Sequence, residues 1–350
     1  MSAVRSSPPI WKKFLFTFVV LFFLLAASES FVRVKRGRLF DFQDVRQPLP
    51  RVQPESRYVR HDPLLGYAPM PGFRGTCFGD KTVTITPDAV RSNGAAPPAG
   101  GAQILAVGDS FTFGGQVHDH ETWPAQLEKI TGRPVLNGGV SGYGWDQTVL
   151  RAEQLVPRHR PAQLIASLIT TDVQRAELSR RNSSYKPYFD IEDGTLRLKN
   201  VPVPPPPENT RKPPNLFKTI LGHSHLADEI LDKHFKNWWS LDVTGVQEHR
   251  QGKQVARLLV DRLAKLCKQH ECQLLILIQS RRSGGDLRLV APMIERARSL
   301  DVPVINLIPT IQQLIRQDPQ IKTRFFDGHM TAEGNEWVAR QLAEKLNVEG

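Results

Sequence analysis

Short apolar runs alternate with longer amphipathic stretches over most of the chain beyond residue 100. Five runs have the length and continuous hydrophobicity of buried strands, and they lie at 104–107, 134–136, 164–169, 273–278 and 303–306. Helical periodicity is found at 123–130, 253–270, 287–300 and 332–346. Because strands that alternate with helices form parallel sheets covered on both faces, the pattern predicts a three-layer α/β/α fold around a five-stranded, flavodoxin-like parallel sheet.

The longest apolar run lies near the N-terminus, at 14–27, and basic residues precede it at positions 5, 12 and 13. A basic start followed by an apolar segment is typical of an export signal. The run is shorter than the about 20 residues that a spanning helix needs, but apolar residues from 11 to 32 extend it. Since 26–29 is a mediocre cleavage site, we expect residues 1–40 to be a signal anchor with a basic juxtamembrane stretch rather than a cleaved signal peptide. The remainder is then expected outside the cytoplasm, in the cell envelope.

The rest of the chain is expected to form one main domain, 102–350, preceded by an extended prelude and linker, 41–101. An insertion at 180–245 separates the third and fourth predicted strands. It leaves the sheet on the side where α/β folds bind ligands, so we expect a lid-like segment.

Three local patterns lie in this insertion. Residues 188–198 predict a β-hairpin with Asp-Gly at its turn, 201–207 is a stiff polyproline stretch, and 225–239 predicts a helix. The helix ends at Trp238 and Trp239, which either stack on sugar rings or, as we favour, serve as packing residues.

The first candidate catalytic residue follows the end of the first core strand. Ser110 lies between that strand and helix-forming sequence, so its hydroxyl is expected at the carboxyl edge of the sheet. A serine hydroxyl needs a nearby base to become a nucleophile. Asp327 and His329 lie two positions apart at the start of the last helix, where the carboxylate can orient the imidazole. Ser, Asp and His in this chain order form one of the arrangements of a catalytic triad.

The sequence GDSFTFG at 108–114, together with DGH at 327–329 and GN at 334–335, resembles the SGNH/GDSL hydrolase superfamily of serine esterases. The segment NGGVSGYG at 137–144 resembles the glycine block of that family. The resemblance covers about 104 to 347 and implies the SGNH hydrolase fold. It also implies that Gly142 and the backbone N–H of Ser110 form the oxyanion hole. No metal or organic cofactor is implied.

The asparagine block of the family departs from its pattern in this chain. Thr171 stands at the asparagine position and is expected as the third oxyanion donor. Asp172 follows it, and we expect Asp172 and Asp109 to support the site. A threonine hydroxyl donates one hydrogen bond but is shorter and rotates freely, and losing one oxyanion donor lowers turnover by roughly 10²–10³. Thr171 therefore leaves open a slow hydrolase, a transferase of different geometry, or another donor in its place. The spacing of the histidine block also differs, since one residue separates Asp327 from His329 and two separate these residues in many members of the family.

Three functions follow from the resemblance. The leading one is a cell-envelope serine esterase that removes acyl groups, acetyl above all, from a carbohydrate or lipid-linked substrate. The second is an O-acyltransferase acting on surface polysaccharide, which needs partner proteins of polysaccharide biosynthesis to supply the acyl group. The third is a catalytically weak or inactive carbohydrate-binding protein of the same fold, kept open by Thr171.

The chain is basic, with a net charge of +11, which suits an anionic membrane or polysaccharide. Clusters such as 175–181 and 281–282 are interpreted as solvated faces. Nucleic acid is not expected as a partner, since no binding motif accompanies the charge and the export segment argues against it. Three cysteines do not make a disulfide framework. The histidine pairs at 118 and 120 and at 223 and 225 have no matching third ligand, so no metal site is expected.

Overall fold

The computed structural model describes residues 9–35, 39–40, 57–100, 102–181, 184–205, 216–235, 246–282 and 284–348. The chain divides into two compact units. The first consists of Met1–Arg51 and Pro207–Thr244, and the second of Val52–Pro206 and Gly245–Gly350.

The strands all belong to the second unit. They are β1 (Val59–Asp62), β2 (Gly66–Pro69), β3 (Arg74–Cys77), β4 (Lys81–Thr84), β5 (Ile104–Val107), β6 (Val135–Asn137), β7 (Gln163–Ile169), β8 (Leu178–Arg181), β9 (Ser184–Tyr185), β10 (Tyr188–Glu192), β11 (Thr195–Lys199), β12 (Val246–Gln247), β13 (Gln273–Gln279), β14 (Val304–Asn306), β15 (Phe326–Asp327) and β16 (His329–Met330).

The first unit contains α1 (Ile10–Lys35), α6 (Leu216–Leu221) and α7 (His225–His234). The helices of the second unit are α2 (Ser110–Phe113), α3 (Trp123–Thr131), α4 (Trp145–His159), α5 (Thr171–Arg175), α8 (Gly252–Gln269), α9 (Leu287–Ser299), α10 (Ile308–Gln317), α11 (Ile321–Phe325) and α12 (Ala332–Val348). A short 3₁₀ helix covers Asp119–Glu121.

The central sheet has five parallel strands in the order β14-β13-β7-β5-β6. Every residue of β5 and β7 is buried, because helices cover both faces of a parallel sheet. One hydrophobic cluster includes Trp145 of α4 and Leu259 of α8, and a second includes Trp123 of α3 and Val338 of α12. The predicted three-layer α/β/α fold and the five predicted strands are confirmed, with strand bounds that differ by one residue at most.

The prelude forms two hairpins, β1–β2 and β3–β4, in the same compact unit as the sheet. Tyr58 and Cys77 pack with Phe113 of α2 in a third buried cluster. Cys267 and Cys272 belong to the cluster that contains α8, so the structure does not bring Cys77 to either of them.

The insertion is divided between the two units. Strands β8 to β11 belong to the second unit, whereas α6 and α7 belong to the first. The predicted hairpin is present as β10–β11, with Asp193 and Gly194 at its turn in the left-handed region. The predicted helix begins at His225 and α7 ends at His234, while Trp238 and Trp239 lie outside the described residues.

Candidate active site

Ser110 is the first residue of α2, directly after strand β5 and two connecting residues. Asp109 caps the helix, since its carboxylate accepts a hydrogen bond of 2.9 Å from the N–H of Phe111. Gly108 permits the sharp turn, because a Cβ there would lie 2.3 Å from the Thr112 hydroxyl. The local sequence therefore presents the serine hydroxyl at the carboxyl edge of the sheet.

His329 lies next to this serine although 219 positions separate them in sequence. Its Nε2 is 3.0 Å from the Ser110 Oγ. It belongs to the small hairpin β15–β16, which turns at Gly328 with a φ of +73°. Asn335 at the start of α12 fixes this hairpin, since its amide donates to the Met330 carbonyl and its oxygen accepts from the N–H of Trp123.

The partner of the second ring nitrogen of His329 is Gln116, a residue that the sequence did not single out. Its Oε1 lies 3.1 Å from Nδ1 and also accepts a hydrogen bond of 2.9 Å from the backbone N–H of His329. A backbone N–H can meet only an acceptor, so this contact fixes the orientation of the Gln116 amide. The Nδ1 of His329 then carries the proton, and Nε2 is free to accept the Ser110 proton.

Asp327 is placed differently from the prediction. Its side chain is exposed, and no hydrogen bond joins it to His329 in the part of the chain that the structure describes. The two residues pair across the β15–β16 hairpin, but the acceptor at Nδ1 is the Gln116 amide. The structure therefore brings together Ser110 and His329 of the predicted triad and leaves the Asp327 carboxylate apart from them.

The environment of His329 favours its neutral form. Burial lowers the pKa of His329 below its usual 6.5, and the charges of Arg175 and Arg281 act in the same direction. The nearby Asp109 carboxylate opposes this effect without reversing it. A neutral imidazole is the form that accepts a proton, so His329 is ready to act as a base at neutral pH.

The serine hydroxyl has one proton and two neighbours that can accept it. The Asp109 carboxylate is 3.5 Å away, compared with 3.0 Å for His329 Nε2. Since hydrogen bonds weaken with distance, His329 is the preferred acceptor.

Two backbone N–H groups suit an oxyanion hole. Those of Ser110 and Gly142 donate to no other group among the described residues. Gly142 has a φ of +87°, and a Cβ there would lie 2.7 Å from the Arg181 guanidinium and 2.8 Å from the Tyr67 hydroxyl. Only glycine fits this position without strain.

Thr171 begins α5 at the end of β7, one strand away from Ser110 in the sheet. Its hydroxyl is buried and makes no hydrogen bond within the described ranges. A buried hydroxyl that lacks a partner is costly, and a substrate oxygen would relieve that cost. This observation supports the predicted role of Thr171 as a third oxyanion donor.

Asp109 and Asp172, the predicted supporting residues, are both fully buried and share one arginine. The Arg175 guanidinium lies 3.1 Å from Asp109 and 2.5 Å from Asp172. Burial and the neighbouring Asp109 charge raise the pKa of Asp172 well above its usual range. Arg175 also donates to the Tyr143 carbonyl, so it links the serine loop, the glycine loop and α5.

Arg175 and Arg181 are not part of a solvated face, contrary to our interpretation of the 175–181 cluster. The side chain of Arg175 is 16% exposed, and Arg181 donates to the Gly142 carbonyl at 2.6 Å. Burial lowers the pKa of Arg181. The two arginines lie close in sequence because only residues 176–177 separate α5 from β8.

Arg91, at the end of the prelude, holds the loop that carries Gln116. Its guanidinium makes five hydrogen bonds, with the Asp119 carboxylate and with carbonyls of Thr82, Phe113, Gly114 and Val117. All five donors of an arginine are thereby used. The sequence signal was one arginine beside a predicted linker, which does not reveal such a network.

No group of three or more His, Cys, Asp or Glu side chains suited to a metal ion is found in the described ranges. His118 instead accepts a hydrogen bond from the N–H of Thr82, and its ring stacks on His120. A separate surface depression lined by Asp261, Lys265 and Cys272 lies at the amino ends of β7 and β13, opposite the serine.

Neither protein-family models nor curated proteins give a match to this chain. Solved structures do. The esterase EstA from Pseudoalteromonas sp. is 8% identical with a TM-score of 0.40, covering 71% of this chain and 97% of its own. A lipase/acylhydrolase from Enterococcus faecalis is 11% identical with a TM-score of 0.39, and the match covers 71% of this chain and 97% of that protein. A catalytic mutant of Axe2, an acetylxylan esterase from Geobacillus stearothermophilus, is 10% identical with a TM-score of 0.39, covering 71% and 95%.

These structures are similar to this chain at identities of 8 to 11%, which do not establish its activity. The resemblance to SGNH/GDSL hydrolases therefore rests on the motifs of the chain and on the contacts that bring Ser110 and His329 together.

Proposed function

We propose that this protein is a serine ester hydrolase of the SGNH type. The observation that carries the proposal is the 3.0 Å contact between Ser110 Oγ and His329 Nε2, at the carboxyl edge of a parallel sheet. A serine and a base within hydrogen-bonding distance are the minimum for nucleophilic acyl transfer. The acceptor on Nδ1 adds the third member, which orients the base.

The reaction begins when the Ser110 oxygen attacks the carbonyl carbon of an ester and His329 Nε2 takes the serine proton. Gln116 keeps the Nδ1 proton in place during this step. The N–H groups of Ser110 and Gly142 and the Thr171 hydroxyl donate to the oxyanion that forms. His329 then gives the proton to the leaving alcohol, and an acyl group remains on Ser110.

Water completes the cycle. His329 takes a proton from the water molecule, the hydroxyl attacks the acyl-enzyme, and the acid is released as Ser110 regains its proton. A sugar hydroxyl in place of water would give acyl transfer, which is distinguished by analysing the products with a sugar acceptor present.

For the substrate, we propose acyl esters, acetyl above all, on a carbohydrate or lipid-linked molecule of the cell envelope. The support is the N-terminal helix α1, which has 26 residues and is long and apolar enough to cross a membrane. We further propose that this helix is retained as an anchor. Helix α1 runs without a break through the weak cleavage site at 26–29, and its residues Glu29, Arg33 and Lys35 then contact the segment from His223 to Glu229.

The test is active-site labelling of the full chain in detergent with a fluorophosphonate, followed by mass spectrometry of the adduct. We expect the adduct on Ser110 and its loss in Ser110→Ala and His329→Ala. Ser141→Ala is the matched control, since its hydroxyl lies beside Gly142 but makes no hydrogen bond among the described residues. Absence of an adduct on folded protein overturns the proposal.

A further inference from the structure

The C-terminal end of helix α1 holds a second segment of the first unit. Glu29 accepts three hydrogen bonds from the start of α7, namely from the Ser224 hydroxyl at 2.7 Å and from the backbone N–H groups of His225 at 2.9 Å and Leu226 at 2.8 Å. These N–H groups begin helix α7 and have no partner within that helix. Glu29 therefore supplies a carboxylate cap to a helix almost 200 positions away in sequence.

Two cations of α1 add to this attachment. Arg33 is largely buried and donates to Glu29 at 2.6 Å and to the His223 carbonyl at 2.7 Å. Lys35 pairs with Glu229 of α7 at 3.1 Å. The contacts span the last two turns of α1, so the α6–α7 hairpin is fixed to that end of the helix.

The α6–α7 hairpin exposes large apolar side chains. Leu216, Phe217 and Ile220 of α6 are 61 to 74% exposed, and their spacing places them on one face of the helix. Ile230 of α7 is exposed as well, and so is Phe235, the residue that follows the end of α7. Leaving apolar side chains of this size in water is unfavourable. Several in one short hairpin therefore indicate an apolar environment.

The position of the attachment identifies that environment. The apolar run of α1 ends at Ala27, and Glu29 follows two residues later. At a rise of 1.5 Å per residue, the hairpin is fixed about 3 Å beyond the uninterrupted apolar run, at the first charged residue after it. Interfacial helices bury their apolar face about 5–10 Å into the boundary between headgroups and acyl chains. Helix α6 ends at Leu221, two residues before the attached His223, and its six residues span about 9 Å, so its exposed side chains lie within reach of this layer.

We propose that the α6–α7 hairpin is a membrane-interface element, with Leu216, Phe217 and Ile220 inserted into the bilayer that surrounds α1. The partner of this apolar face is thus the lipid surface next to α1. The inference rests on the proposed retention of α1 as a membrane span. It is independent of the chemistry at Ser110.

The test uses the full chain in vesicles of phosphatidylethanolamine and phosphatidylglycerol, with a nitroxide on single introduced cysteines. Phe217→Cys and Ile220→Cys probe the hairpin, Leu21→Cys probes the span, and Leu287→Cys is an exposed apolar control in the other unit. The three native cysteines are buried, and unsubstituted protein measures their background labelling. Power-saturation spectroscopy compares accessibility to oxygen, which concentrates in the bilayer, with accessibility to a water-soluble nickel chelate.

We expect oxygen to be favoured at 217 and 220, as at 21, and the nickel chelate to be favoured at 287. Nickel accessibility at 217 and 220 with oxygen preference at 21 overturns the inference and leaves the anchor intact. Nickel accessibility at all these positions overturns both. Fluorophosphonate labelling of the same samples reports the proposed activity separately.

A second variant tests the attachment itself. Glu29→Ala removes the cap on α7, so the label at 220 is expected to gain mobility and lose its oxygen preference while the label at 21 keeps it. An unchanged signal at 220 in Glu29→Ala would overturn the claim that the Glu29 cap positions the hairpin at the bilayer surface.

Discussion

The identity of the residue that orients His329 gives the sharpest prediction. Gln116 accepts two hydrogen bonds from His329, whereas the Asp327 carboxylate makes none with it among the described residues. Gln116→Ala removes both acceptors and leaves the Nδ1 proton without its partner. His329 then loses the fixed tautomer and ring orientation that its contact with Ser110 requires.

The magnitude follows from the two contacts. A net contribution of about 0.5–1.5 kcal/mol per hydrogen bond gives about 1–3 kcal/mol for the pair. At 1.36 kcal/mol per tenfold change, we expect kcat to fall roughly 5- to 150-fold in Gln116→Ala. Loss of a triad carboxylate that truly orients its histidine lowers kcat by about 10⁴. Asp327→Asn should therefore cost less than about tenfold if Gln116 is the orienting group.

Backbone strain offers a control for folding damage. Gln116 has a φ of +72°, which glycine adopts more readily than any other residue. Gln116→Gly loses the same hydrogen bonds as Gln116→Ala but avoids this strain, so it should have the higher free energy of unfolding of the two and still lose activity, because the acceptor is gone. Hydrolysis of p-nitrophenyl acetate, with kcat and KM determined separately, and urea unfolding provide the two measurements. The reasoning is refuted if Asp327→Asn is the more damaging change and both Gln116 variants retain wild-type kcat.

The pH profile tests the same contact through charge. Burial lowers the pKa of His329 below 6.5, and the active form is neutral, so the acid limb of kcat/KM should lie below that value. Gln116→Glu places a carboxylate beside Nδ1, which favours the imidazolium and raises the pKa. The acid limb should move to higher pH in Gln116→Glu, and Asp327→Asn should leave it where it is. No movement in Gln116→Glu would refute the contact between Gln116 and His329.

Three further changes test the surrounding structure. Thr171→Val replaces the proposed third oxyanion donor by a side chain of similar size and should lower kcat by about 10²-fold. A change within twofold would exclude this role. Arg91→Met leaves the buried Asp119 unpaired and should destabilise the fold by about 3–5 kcal/mol in urea unfolding. Lys186→Met leaves the Asp146 carboxylate buried without its cation and should lower the free energy of unfolding by about as much. Adding Asp146→Asn to Lys186→Met should recover most of the lost stability.

The sequence was sufficient for the sheet because each core strand is short, apolar and followed by a helix or turn. Val107 and Ile169 end two neighbouring strands, so the residues after them meet at one edge. The place of Ser110 at this edge was predictable for the same reason. His329 lies in a hairpin outside the parallel sheet, so its pairing with Ser110 was expected from the motifs and their resemblance. Gly142 was predictable from the resemblance of its block, and its left-handed φ gives the physical reason for glycine there.

The orienting residue could not be predicted, because it depends on a loop whose path the local sequence does not determine. Gln116 follows two glycines in a segment without hydrophobic periodicity, and nothing in its own neighbourhood suggests a contact with His329. Asp327, two positions from the histidine, was the natural expectation. The path of the loop is fixed instead by Arg91, whose guanidinium binds the carbonyls of Phe113, Gly114 and Val117 on either side of it.

This arrangement gives the prelude a role in the chemistry that its sequence does not announce. Arg91 belongs to the prelude, and it reaches the loop because an arginine fork can satisfy several carbonyls at once. If Arg91 holds Gln116 in place, Arg91→Lys should lower kcat more than it raises KM, since lysine lacks the fork that spans these carbonyls. The prelude would then help to position His329 through Gln116, in addition to connecting α1 to the sheet.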